Sequence, residues 1–69
     1  MIIALYVKSR TRDVFEFKVA KVMPTGWNFT EYKEVLIRTY GSAWTQNNKV
    51  IPANSPSDLP DVLENLHVN

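Results

Sequence analysis

The chain has 69 residues, a formal net charge of +1 and no cysteine, which limits it to one domain that buries only about 60% of the surface its unfolded form exposes. The near-neutral balance argues against a polyanion binder by bulk charge, and with His67 as the lone histidine neither disulfide staples nor a Cys/His metal cluster is available. Stability is left to packing or self-association, with three Phe, three Tyr and two Trp as the supply of large apolar groups.

Residues 2 to 7 place Ile3, Leu5 and Val7 on one side and Ile2, Ala4 and Tyr6 on the other, the pattern of a strand covered on both faces or of a half-covered one in an oligomer, and expected to be central in the sheet. The run is too short to span a bilayer, which takes about 20 residues. Lys8 to Asp13 is polar and fits a hairpin loop. In the next run, residues 14 to 23, strict alternation groups Phe15, Phe17 and Val19 on a dry face and Glu16 and Lys18 on a wet one. Lys21 breaks that alternation, which predicts a bend or bulge near Ala20, or a strand end projecting past the core. Residues 2 to 23 are therefore expected to form a β-hairpin, after which Pro24-Thr25-Gly26 turns the chain into Trp27 and the main helix.

The strongest local signal is a helix over residues 28 to 40. At about 100° per residue, Phe29, Tyr32, Leu36 and Tyr40 fall within roughly 80° of arc, opposite Glu31, Glu34 and Arg38. Asn28 has the chemistry to accept from first-turn amides, Glu31 to answer it, and Trp27 to pack on Tyr32 across the cap. Gly41 is the expected left-handed terminator. Residues 43 to 51 then fit either a hairpin, with strands 43 to 46 and 49 to 51 around an Asn47-Asn48 turn, or one irregular strand; the hairpin is preferred. Pro52 stops this strand or marks it as an edge.

A linker follows, and a second, short helix is expected over residues 59 to 67. Leu59, Val62, Leu63 and Leu66 have the spacing of one apolar face, Pro60 suits a first turn, and Asp58 and Asp61 suit the positive end of the dipole. At roughly nine residues it must dock on its own sheet, a second copy or a partner. The expected fold class is thus α+β: a small antiparallel sheet, made of a β-hairpin and a third strand or short hairpin, one main helix packed on it, and a short C-terminal helix.

The chemistry available is sparse. No carboxylate pair, hydrolytic triad or glycine-rich loop is recognisable. Glu64 and His67 have metal-pair spacing but are better explained as a helix end. The expectation is a non-enzyme with no cofactor, no metal, no small-molecule substrate and no membrane span. The absence of cysteine suits the cytoplasm.

Two binding surfaces are candidates. One is the apolar face Leu59, Val62, Leu63 and Leu66, offered to a protein partner or to a second copy in a homo-oligomer. The other is basic. Residues 1 to 54 carry eight Lys and Arg against four Asp and Glu, whereas residues 55 to 69 carry three acids and no Lys or Arg. Lys8, Arg10, Arg12 and Lys21 could meet phosphates and Trp27 a base, so a nucleic-acid binder is the alternative. The bland reading of the same charges is a solvated hairpin tip, with an acidic tail neutralising a basic body.

The order strand, strand, helix ending in Tyr40-Gly41-Ser42-Ala43-Trp44, then strand, over residues 1 to 51, resembles small phage-encoded or mobile-element regulators that inhibit host enzymes. That resemblance implies a regulator or inhibitor acting by binding a host protein.

Overall fold

The computed structural model describes residues 1–41 and 47–63. It is organised on β1, Ile2–Lys8, the strand against which the others are laid. The antiparallel sheet has the order β3-β1-β2-β4, where β2 is Phe15–Val22, β3 is Asn48–Ala53 and β4 is Val62–Leu63. Among the described residues one α-helix, α1, spans Phe29–Tyr40. Ile3, Ala4, Leu5 and Tyr6 are fully buried, so β1 is covered on both faces, as its uninterrupted apolar run predicts.

The two covers differ. β2 and β3 both run antiparallel to β1 and flank it, so α1 carries the chain over β1 in a split β-α-β arrangement. Leu36 is the buried residue of the helix, and α1 packs against β1. Lys21, on the same side of the sheet as its pairing partner Ile3, lies with Nζ 5.5 Å from the centre of the Tyr40 ring. The opposite face is closed by the chain itself. After β3 it must pass from one edge of the sheet to the other to form β4, and residues 54–61 cross like a strap. The Tyr6 hydroxyl donates to the Pro60 carbonyl at 2.6 Å, and the Phe17 ring meets the Tyr6 ring edge-on at 5.7 Å.

The helix start follows its local chemistry. Asn28 Oδ1 accepts from the Glu31 amide at 2.8 Å, the Asn28 side-chain amide donates to the Glu31 carboxylate, and Trp27 packs edge-on against Tyr32 at 5.7 Å. This is the capping box joined to a hydrophobic staple. Gly26 has φ +95° in a turn closed by the Trp27 amide on the Pro24 carbonyl at 3.3 Å, a geometry that favours glycine. Gly41 departs from expectation, being extended with φ −63° and ψ 156° rather than left-handed. It is needed for closeness, since a Cβ there would run into the Ile37 carbonyl.

Three other expectations are corrected. The bulge falls at Lys18, because Leu5 pairs with Val19 while Tyr6 pairs with Phe17. The extra residue reverses the alternation, so Phe15 and Phe17 face the strap and Val19 faces the helix, not all three one side. Asn48 lies in β3 rather than in a turn, and β3 continues through Pro52 on the sheet edge; residues 43 to 46 of the expected hairpin lie outside the described residues.

The helix expected over residues 59 to 67 does not form in its described part, 59–63. There is a single 3-10 turn, Pro56–Asp58, after which Leu59 is extended at φ −100° and ψ 120°, as a residue before proline prefers. A helix would have needed the Pro60 and Asp61 carbonyls for its own amides. Instead Pro60 accepts from Tyr6 and Asp61 accepts from the Phe17 amide at 2.9 Å. Tertiary partners outcompete the local period, and Val62 and Leu63 pair with Glu16 and Phe15.

Leu36→Ala should destabilise the fold by about 2–5 kcal/mol, read as a lower urea midpoint. Tyr6→Phe should lose about 0.5–1.5 kcal/mol with the hydrogen bond to Pro60. Burial, and after it the Asp61 carboxylate, push the Tyr6 pKa up. The folded state therefore favours the neutral phenol, and that stabilisation is complete below the unfolded value of about 10 and lost as pH rises through the higher folded value. The gap in melting temperature between wild type and Tyr6→Phe should accordingly narrow above about pH 10.

Candidate functional site

Among the described residues, the hydrogen-bond register leaves a stretch of the β2 edge open. The Met23 amide donates to the Met1 carbonyl at 3.1 Å and the Ser9 amide to the Val14 carbonyl at 2.9 Å, which fixes the pairs of β1 and β2 that exchange bonds. Counting along the ladder, with the extra residue at Lys18, places Ile3 with Lys21 and Leu5 with Val19 in bonded pairs. Ala20 and Val22, in the intervening pairs, direct their N–H and C=O groups away from β1.

Phe15 and Phe17 point outward in the same way, but there β4 covers the edge, with Leu63 opposite Phe15 and the Asp61 carbonyl on the Phe17 amide. From Lys18 to Val22, no strand lies against β2 among the described residues. At about 3.4 Å per residue this slot is about 17 Å long.

The other edge of the sheet is different. Ile2, Ala4 and Tyr6 give their bonds to Ala53, Ile51 and Lys49, so Asn48, Val50 and Pro52 are the outward residues of β3. Pro52 has no amide to offer, which obstructs strand addition. Apolar surface is also concentrated beside the β2 slot: Val22 is 69% exposed and Phe17 43%, and both lie on the strap side of the sheet with Ala20. Of this slot only Lys21 was among the sequence-predicted site residues, and there as a phosphate contact rather than as part of a strand edge. The available signal was Pro52, whose presence in a strand disqualifies one edge and leaves the other.

The basic candidates do not converge. Lys8 is tied to Asp13, Nζ to Oδ1 at 2.7 Å, and this hydrogen bond and charge hold the Asp13 carboxyl below the usual range. Ser9, buried, accepts from the Thr11 and Arg12 amides, both at 3.2 Å, and so shapes the loop carrying Arg10 and Arg12. Lys21 pairs with Ile3, about 17 Å along the sheet from Lys8 at 3.4 Å per residue, and the two lysines are on opposite faces. Trp27 sits at the helix start, engaged with Tyr32. Of the apolar candidates, Leu59 belongs to the strap and Val62 and Leu63 to β4 on opposite faces of the sheet; Leu66 lies outside the described residues.

A cavity of about 340 Å³ opens between Met1, Pro52, Ala53, Asn54 and Asp58. Its lining supplies one carboxylate and no other ionisable side chain. Among the described residues no three of His, Cys, Asp or Glu are grouped to hold an ion, and no helix is long and apolar enough to cross a membrane. What the fold defines is a four-stranded antiparallel sheet crossed by one helix, with a partly open edge. No protein family, curated protein or solved structure matches the chain.

Amide exchange tests the slot directly. Val19 and Lys21 amides, which face β1, should exchange slowly, and those of Ala20 and Val22 at least about tenfold faster. Equal protection along residues 19 to 22 would show that the edge is occupied.

Proposed function

We propose that the chain is a non-catalytic protein-interaction module that binds through the outer edge of β2 between Lys18 and Val22. The observation carrying this reading is the pair of outward peptide groups at Ala20 and Val22, with no strand against them among the described residues, beside exposed Phe17 and Val22. Strand addition uses such an edge, with main-chain bonds for affinity and side-chain contacts for selection. The role that accords with the element order of residues 1 to 51 is that of a small regulator or inhibitor, occupying a surface of a host protein. The nucleic-acid alternative draws less support, because Lys8, Arg10 and Arg12 stand at one end of the hairpin and Lys21 and Trp27 toward the other.

Ala20→Pro is the decisive variant. Proline at an outward position removes a donor from the slot without removing a bond to β1. Partner proteins retained by the immobilised wild-type chain should be lost from Ala20→Pro, with the circular dichroism spectrum unchanged. Equal retention by both, or none by the wild type, would overturn the proposal.

A further inference from the structure

We infer that the β2 edge takes an extended acidic segment of a partner protein, rather than a second copy of this chain. The inference rests on the strand-addition reading above and adds the chemistry of the occupant.

The slot has two closed ends. At one, the Asp61 carbonyl already holds the Phe17 amide; at the other, β2 runs into Met23 and Pro24, where proline has no amide to continue the ladder. About five residues of an incoming strand fit between them. Within it the charge has one sign. Lys18 and Lys21 are the only ionisable residues from 18 to 23. The nearest acids along the covered end, Glu16 and Asp61, flank the point where β4 already occupies the edge.

Neither lysine is neutralised by an ion pair among the described residues. Lys21 lies near the Tyr40 ring, a contact that leaves its charge intact. An entering strand with carboxylates in alternate positions gives these ammonium groups counter-charges, and its other side chains can cover Ala20, Val22 and Phe17 on the strap side.

A second copy fits poorly for the same reason. Antiparallel pairing of two β2 edges about a two-fold axis has two registers that use Ala20 and Val22. One places Lys21 directly opposite its own counterpart in the closer, non-bonded pair, where like charges are destabilising. The other sets Ala20 against Ala20 and confines four lysines, with no acid between them, to a strip about 17 Å long. Self-pairing offers only like charge; an acidic strand offers the complement.

The probe is a seven-residue peptide alternating valine with aspartate or glutamate, compared with its lysine counterpart and with the same acidic peptide N-methylated on alternate amides. Binding to the full chain is followed by calorimetry, with solution mass measured at the same concentrations. The acidic peptide should bind and weaken with added salt. The lysine and N-methylated peptides should bind at least about tenfold more weakly, the equivalent of one or two lost interactions.

Ala20→Pro should abolish binding, and Lys18→Glu combined with Lys21→Glu, which leaves the backbone intact, should reverse the peptide preference. Indifference to peptide charge would overturn the inference. So would a dimer mass that Ala20→Pro converts to monomer, which would assign the edge to a second copy. No binding of any peptide while the wild-type chain still captures a partner lost from Ala20→Pro would overturn the acidic-strand inference alone; loss of both would overturn the interaction reading too.

Discussion

Enclosure of β1 on both faces is the constraint from which the remaining arrangement follows. A strand with Ile3 and Leu5 on one side and Ala4 and Tyr6 on the other, all fully buried, needs two covers, and a short chain has few pieces to make them from. α1 provides the first. The second is irregular backbone, residues 54–61, and such a segment is stable over a sheet only if its polar groups find partners. The Tyr6 hydroxyl on the Pro60 carbonyl and the Phe17 amide on the Asp61 carbonyl supply them. Tyr6 thus serves in the core, with its ring against Phe17, and as the peg that holds the strap.

With β1 using both of its ladders, the outward peptide groups of the sheet lie on the outer sides of β3 and β4 and, past the end of β4, of β2. Small proteins cannot leave long apolar edges unguarded without inviting aggregation. Pro52 obstructs β3 at an outward position, and β4 covers the first residues of β2. The bulge at Lys18 marks the changeover, since beyond it Ala20 and Val22 turn their peptide groups outward with no strand against them among the described residues. Lysines on the uncovered portion are unfavourable opposite an identical edge, and on the acidic-strand proposal the same charges select the partner.

The helix and the central strand were legible in the residues because their determinants are close together in the chain. Asn28, Glu31, Trp27 and Tyr32 make the helix start within one and a half turns, and the apolar arc through Leu36 follows from the same period. The two-faced apolar pattern of residues 2 to 7 likewise implied a central position. The β2 edge was not legible, because which peptide groups face outward depends on where a one-residue bulge falls. The break in alternation at Lys21 signalled a bend or bulge near Ala20, or a projecting strand end, but not a bulge at Lys18 that parts Phe17 from Val19.

The sequence alone determined that residues 28–40 coil and that Tyr6 and its neighbours go inside, since contacts within four residues and simple hydrophobicity decide both. Tertiary structure decided the fate of residues 59–63. Their leucines and valine carry a helical period, but the Pro60 and Asp61 carbonyls are taken by Tyr6 and Phe17, groups more than forty residues earlier in the chain. A hydrogen bond formed across the sheet outweighs a local preference too short to sustain a helix by itself, and the same competition left β2 covered at one end and open at the other.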